Sequence, residues 1–276
     1  MEVLVVGNTA YVDDDFCAKA FPGDHVKVVA AAEARHDESS PHASWKELLQ
    51  HLEQAYEFDR VVYLSNFLTP HTDTVGDIEL LRSVFRSCMS RRVQLLFVAG
   101  PASAEGASGA VGRTGKGIIA RAANDLCRYY AVREGVQAKI LRAPFLYTAS
   151  AALDDPFFVP LFDSCLTGSV ALQGAEDAAF PLLCAEELAV LVRRIFDSWD
   201  ASFETLDVAD TFHRTSGEVG EALKALFPGL SVAYGDSAGY ALPVSDTVRV
   251  RYGWFQRYDL LRDLSTIQAR WDVGRA

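Results

Sequence analysis

VLVVGNTAYVDDDF, the stretch from Val3 to Phe16, is the most informative part of the sequence. A run of four apolar residues that ends in a glycine is typical of the first strand of a nucleotide-binding parallel sheet and of the turn after it. Three consecutive aspartates, Asp13 to Asp15, stand where the first helix is expected to begin. Asp13 suits the N-cap position, and its two neighbours complement the positive end of the helix dipole. The stretch therefore predicts a strand, a turn and a helix with an acidic first turn.

Short apolar runs alternate with helical patterns along the rest of the chain. Such alternation is typical of a parallel sheet covered by helices on both faces. The predicted strands are Val3–Val6, Val26–Ala30, Arg60–Leu64, Gln94–Val98, Lys139–Leu141 and Thr205–Val208. The predicted helices are Asp14–Ala20, Ser44–Tyr56, Asp73–Ser90, Lys116–Glu134, Ala185–Trp199, Ser216–Phe227 and Asp259–Trp271. The predicted fold class is α/β, a doubly wound parallel sheet of the Rossmann-like type.

The composition restricts the environment and the partners of the chain. Its 276 residues are 50% hydrophobic, enough for a full core, and carry a formal net charge of −11. An acidic chain lacks the basic surface that nucleic acid or an anionic membrane requires, so neither is expected as a partner. The five cysteines contain no CxxC pair and the six histidines form no HxxxH pair, so no metal site is predicted. Unpaired cysteines and the lack of a long apolar run predict a cytoplasmic protein.

The order and spacing of several segments resemble those of the extended short-chain dehydrogenase/reductases, the NAD-dependent epimerase/dehydratase family. These segments are VLVVGNTAYV, FDRVVYLSN, VQLLFVAGPASAEG, KILRAPFLYT and AFPLLCAEELA. ETLDVADTFHRTSGEVGEAL and YGWFQRYDLLRDL resemble segments of that family's substrate domain. The resemblance covers almost the whole length. It implies a Rossmann-like domain of residues 1–148 and roughly 182–212, with a smaller C-terminal substrate-type domain of roughly 149–181 and 213–276.

The resemblance also implies a cofactor, NAD or NADP. The family's first loop has three glycines that permit a tight turn, close approach of the diphosphate and close packing of the helix. The matching positions here are Gly7, Ala10 and Asp13, so one of the three glycines remains. The residues implied in cofactor binding are Gly7, Asn8, Thr9, Ala10, Ser65, Asn66 and Lys116.

The carboxylates of Asp13, Asp14 and Asp15 oppose such a cofactor. A carboxylate at the helix start occupies the N–H groups that otherwise bind phosphate. A like charge about 4 Å from a phosphate also costs about 4 kcal/mol near a protein surface. The cofactor is therefore left unknown.

Catalysis in the family uses a tyrosine, a lysine four residues later and a serine or threonine. Lys116 matches the lysine, but the positions that match the serine and the tyrosine are Gly100 and Gly112. Ser103 and Tyr147 are the candidates for a displaced catalytic hydroxyl.

The joint loss of glycines, serine and tyrosine predicts a degenerate family member without redox catalysis. Such a protein acts as a binding, regulatory or non-catalytic subunit in sugar-nucleotide or polysaccharide metabolism. Two alternatives stay open. One is an atypical NAD(P)-dependent nucleotide-sugar epimerase, dehydratase or reductase that uses Lys116 and a displaced hydroxyl; the other is a structural interaction protein. The resemblance implies a nucleotide-sugar ligand, and a homodimer or a protein partner through the helices at Asp73–Ser90 and Lys116–Glu134.

Overall fold

The centre of the molecule is a parallel sheet. A computed structural model describes residues 1–30, 57–65, 68, 75–89, 92–101, 115–149, 155, 157–172, 174–209, 211–236 and 247–275. The sheet strands are β1 (Glu2–Gly7), β2 (His25–Ala30), β3 (Arg60–Leu64), β4 (Gln94–Ala99), β5 (Gln137–Arg142) and β9 (Thr205–Asp207). They form a six-stranded sheet in the order β2-β1-β3-β4-β5-β9, and every neighbouring pair is parallel. All six predicted strands belong to this sheet, which confirms the predicted α/β fold class.

Helices connect the strands and cover the sheet. They are α1 (Asp14–Ala20), α2 (Val75–Met89), α3 (Gly115–Arg133), α4 (Phe158–Leu166), α5 (Ala185–Asp197), α6 (Ser216–Leu226), α7 (Thr247–Tyr252) and α8 (Leu260–Arg275). Helix α1 has the predicted bounds, and five further predicted helices differ only at their ends. The predicted helix Ser44–Tyr56 lies outside the described residues. The sequence pattern did not predict α4 and α7.

The sheet has a hydrophobic core on each face, because successive side chains of a strand point to opposite sides. One core joins Val3 and Val5 of β1 to helices α1 and α5. The other joins Leu4 and Val6 of the same strand to α2 and α3. Helices therefore cover both faces, which is the doubly wound arrangement.

A third core lies beside the sheet, around two short strand pairs. Strand β6 (Phe145–Tyr147) pairs with β8 (Leu182–Cys184), and β7 (Ser169–Leu172) pairs with β10 (Ser231–Tyr234). Phe162 of α4 packs edge-on against Trp271 of α8, with 5.2 Å between ring centroids. The third core thus joins the aromatic segment after β6 to the end of the chain. The assignment of residues to two domains stays a prediction.

Two helices begin with capping side chains, and the first of these caps is the one that the sequence predicts. The Phe16 N–H donates a hydrogen bond of 2.7 Å to Asp13 Oδ1 at the start of α1. At the start of α6, Thr215 Oγ1 accepts from Glu218 N at 3.2 Å, and a Glu218 carboxylate oxygen accepts from Thr215 N at 2.9 Å. Asp13 is therefore an N-cap, and its carboxylate is fixed by the helix.

Candidate functional site

The candidate site lies at the carboxyl ends of the parallel strands, where open α/β sheets bind ligands. The turn after β1 contacts the end of β3, because Asn8 N–H donates to the carbonyl of Leu64 at 2.7 Å. The end of β3 contacts β4 in the same way, since Ser65 N–H donates to the carbonyl of Val98 at 3.0 Å. The structure therefore brings together Gly7, Asn8 and Ser65, three of the residues that the resemblance implies in cofactor binding.

Gly7 has a structural reason of its own to be glycine. Its φ is +108°, and a Cβ at this position would lie 2.2 Å from the carbonyl oxygen of Leu64. No L side chain fits that approach without moving the β3 backbone. The one glycine that the loop retains is thus explained by the contact between β1 and β3, whether or not a cofactor binds.

The start of α1 is occupied by acidic side chains. Asp13 binds the Phe16 N–H, and Asp14 and Asp15 follow in the first turn. Asp15 forms an ion pair with Lys19 on the same helix. The first N–H groups of a helix are the donors that bind phosphate at such turns. In this chain one of these donors is already bonded to a carboxylate.

Two buried polar atoms of the turn have no hydrogen-bond partner in the described part of the chain. They are Asn8 Nδ2 and the Tyr11 hydroxyl, and the exposed fractions of the two residues are 8% and 2%. The pKa of Tyr11 is raised well above its ordinary value, first by burial and then by the charge of Asp155. Tyr11 belongs to the core between the sheet and helices α1 and α5, whereas Thr9 is half-buried and Ala10 is exposed.

Asp155 is a buried carboxylate that fixes the segment after β6, and the sequence analysis missed it. Its oxygens accept hydrogen bonds from Thr148 N, Thr148 Oγ1, Phe157 N and Phe158 N at 2.7 to 2.9 Å. Burial raises the pKa of Asp155, and the four hydrogen bonds act in the opposite direction. An aspartate just before a helix is a typical capping signal, so its bonds to α4 were predictable, but its proximity to Tyr11 was not.

Tyr147, one candidate for the displaced catalytic hydroxyl, lies in the third core. It is 0% exposed, its hydroxyl donates to Asp263 Oδ2 at 3.3 Å, and its ring packs edge-on against Phe158. Burial, followed by the charges of Cys184 and Asp263, raises the pKa of Tyr147 strongly. A tyrosine that transfers a proton in this chemistry needs a lowered pKa. The surroundings of Tyr147 instead raise its pKa.

The other catalytic candidates are less fully described. Gly100 follows β4 and has no side chain to replace the family serine. Lys116 belongs to the first turn of α3, which begins at Gly115. Ser103, Gly112 and the cofactor candidate Asn66 lie outside the described residues. The roles of Lys116 and Ser103 stay predictions.

Arg142, at the end of β5, is engaged within the protein. Its Nε and Nη2 donate to the two carboxylate oxygens of Asp207 on β9, at 2.6 and 2.8 Å, and both residues are buried. Such a two-point pair fixes the guanidinium and uses the carboxylate fully. Within the ranges that the structure describes, no group of three or more histidine, cysteine or acidic side chains could hold a metal ion. No helix in those ranges is long and apolar enough to cross a membrane.

Known proteins resemble this chain in structure, although no protein-family model and no curated protein matches its sequence. The UDP-glucose 4-epimerase of Thermotoga maritima, solved with UDP-glucose, matches at a TM-score of 0.75 and 14% identity, over 100% of this chain and 99% of that one. The UDP-glucuronic acid 4-epimerase of Bacillus cereus, solved with UDP-glucuronic acid and NAD, matches at 0.68 and 13%, over 99% and 98%. The L-threonine dehydrogenase of Phytophthora infestans matches at 0.67 and 13%, over 99% and 100%.

These matches extend over the whole chain at very low sequence identity. The chain therefore has the fold of the extended short-chain dehydrogenase/reductases and is divergent from them in sequence. The resemblance that the sequence predicts is confirmed at the level of the fold.

Proposed function

We propose that this chain is a degenerate relative of the NAD-dependent epimerases and dehydratases that acts by binding and not by redox catalysis. On this proposal it is a regulatory or non-catalytic subunit in sugar-nucleotide or polysaccharide metabolism. The observation that carries the proposal is the hydrogen bond from Phe16 N to Asp13 Oδ1 at the start of α1. It places a carboxylate on a donor that a bound diphosphate would need.

The electrostatic cost supports the same conclusion. A carboxylate about 4 Å from a phosphate costs about 1 kcal/mol in water and about 4 kcal/mol near a protein surface. Because each 1.4 kcal/mol changes affinity about tenfold, Asp13 alone can weaken dinucleotide binding by up to about a thousandfold. Asp14 adds a second negative charge in the same turn, whereas Lys19 offsets that of Asp15.

The catalytic positions support the proposal independently. The family tyrosine and serine are replaced by Gly112 and Gly100. Tyr147 is buried with a raised pKa, which disfavours it as a substitute proton donor. The alternative, an atypical NAD(P)-dependent enzyme that uses Lys116 and Ser103, is therefore kept as an outcome of the test.

The test is a thermal-unfolding series with NAD⁺, NADH, NADP⁺, NADPH and UDP-glucose. Two variants separate charge from shape: Asp13→Asn keeps the N-cap and removes the charge, whereas Asp13→Gly restores the family residue. A ligand at about 100 times its dissociation constant stabilises the fold by about 2.7 kcal/mol, or about 5 °C at this chain length. We expect no shift with dinucleotides for the unmodified protein and a shift for Asp13→Gly. A clear shift for the unmodified protein, with turnover of the bound cofactor, would instead establish the atypical enzyme.

A homodimer through α2 and α3 is the partner that we propose. Three apolar side chains of α3, Ile118, Tyr129 and Val132, are 55%, 52% and 63% exposed. Their spacing of eleven and three residues places them on one face of the helix. Sedimentation analysis tests the proposal with Val132→Asp, against Val250→Asp as a control at an exposed valine of α7. Dissociation by the first variant alone supports this dimer, and a monomeric unmodified protein excludes it.

A cytoplasmic location also remains part of the proposal. All five cysteines are free thiols, and four of them are buried. Reduced, buried cysteines are usual in cytosolic proteins. Fractionation of the cells that produce the protein tests this point.

A further inference from the structure

A concavity of about 180 Å³ lies between α1, α5 and residues 253–258. Its apolar wall is formed by Val190, Phe255 and Tyr258, which are 37%, 50% and 43% exposed. Trp254 also lines it, and its buried indole N–H donates to the Glu187 carbonyl at 3.2 Å. Single exposed apolar residues are ordinary, but three around one depression are typical of a binding site.

Three cationic side chains also line the concavity, although the chain as a whole is acidic. They are Lys19, Arg194 and Arg257. The Arg257 guanidinium is exposed and lies 5.1 Å from the ring centroid of Phe255. Arg194 is positioned by the backbone, because its Nη1 donates to the carbonyl of Gly253 at 2.6 Å.

The two carboxylates in the lining are buried and already bonded. Glu187 accepts hydrogen bonds from the N–H groups of Arg257 and Tyr258, at 2.5 and 3.2 Å. Glu186 accepts one from the Cys184 thiol at 2.6 Å. The exposed groups of the concavity are therefore aromatic, aliphatic and cationic, a combination that suits an apolar anion.

We propose that this concavity binds a small organic acid in which one carboxylate is attached to an aromatic ring. A cavity of about 150 Å³ is large enough for benzene, so this one accommodates a ring with a short acidic group. The ring would pack against Phe255 and Tyr258, and the carboxylate would bind the guanidinium of Arg257, because Lys19 is already paired with Asp15. This site is separate from the turn after β1, and the inference holds whether or not that turn binds a dinucleotide.

Isothermal titration with phenylacetate and with its neutral counterpart phenylacetamide tests the proposal, and the intrinsic fluorescence of the four tryptophans, one of which is Trp254, gives a second readout. We expect saturable binding of the acid, about tenfold tighter than that of the amide. Arg257→Gln is expected to weaken phenylacetate binding about fivefold or more and to leave amide binding nearly unchanged. The control is Arg193→Gln, since Arg193 is on the same helix as Arg194, is half-exposed and does not line the concavity.

The results for Arg257→Gln and Arg193→Gln either support or overturn the proposed binding site. Arg257 and Arg193 are both surface residues, so the two variants are expected to fold. Circular dichroism and the melting temperature check this. Equal affinity for acid and amide, equal loss in the two arginine variants, or no saturation by about 10 mM phenylacetate would overturn the proposal. Loss of acid binding in Arg257→Gln alone would support it.

Discussion

The Tyr11 hydroxyl gives a sharp test of the turn after β1. This hydroxyl is buried and has no hydrogen-bond partner within the described residues. An unsatisfied buried hydroxyl costs about 1 to 3 kcal/mol, and the atom removed in Tyr11→Phe leaves only a small cavity. We therefore expect Tyr11→Phe to raise the free energy of unfolding by about 1 kcal/mol. At an unfolding entropy of about 2.1 cal/mol/K per residue, the melting temperature should rise by about 2 °C.

Tyr147→Phe is the matched control, because it removes the same atom from a hydroxyl that has a partner. The Tyr147 hydroxyl donates to Asp263 at 3.3 Å, so its loss should lower the free energy of unfolding by about 1 kcal/mol. Both variants are measured by urea unfolding and by calorimetry at pH 7 and at pH 9. Burial raises the pKa of Tyr11 well above its ordinary value, so its effect should not change between these pH values. Destabilisation by Tyr11→Phe equal to that of the control would refute this account of the turn.

Three further predictions concern other parts of the fold. Gly7→Ala should destabilise by about 3 kcal/mol or more in urea unfolding, because its Cβ would lie 2.2 Å from a backbone oxygen at φ +108°. Lys139→Met should cost about 2 kcal/mol by the same method, since Lys139 is 0% exposed and bonds two carboxylates, one of them half-exposed. Arg214 lowers the pKa of Asp259, so this pair stabilises the fold above about pH 4 and the stabilisation is lost as pH falls further. In Arg214→Gln the free energy of unfolding should therefore fall less steeply as the pH is lowered below about 4. The same dependence on pH in the variant and the unmodified protein would contradict the assignment.

The main sheet was predictable because most of its strands are short, buried apolar runs between helical patterns, although β2 at the edge of the sheet is largely exposed. Helix α4 was missed for a physical reason. A proline usually ends or interrupts a helix, but Pro160 occupies the third position of α4, where a missing N–H costs nothing. Strands β7 and β10 have four residues each and pair across about sixty residues of chain, so local sequence does not encode their partnership.

The candidate site was predictable only where it depends on local structure. The Asp13 cap joins residues three positions apart, and local physics determines it. The raised pKa of Tyr11 depends in part on Asp155, which is distant in the sequence. The hydrogen bond of Tyr147 likewise spans 116 residues, so local sequence could not show that this hydroxyl is bonded to Asp263.

The residue that opposes a cofactor is also one that stabilises the protein without it. An aspartate N-cap stabilises a helix start by a few tenths of a kcal/mol more than the family glycine does, and by about 1 kcal/mol more than alanine. Gly7 is needed for its contact with β3, and none of the cofactor positions that the structure describes belongs to the two cores of the sheet. A chain released from cofactor binding therefore keeps its fold, and substitutions such as Asp13 gain a small advantage in stability. The acidic turn is thus linked to the proposed loss of redox catalysis, because the same carboxylate that caps α1 removes a donor for phosphate.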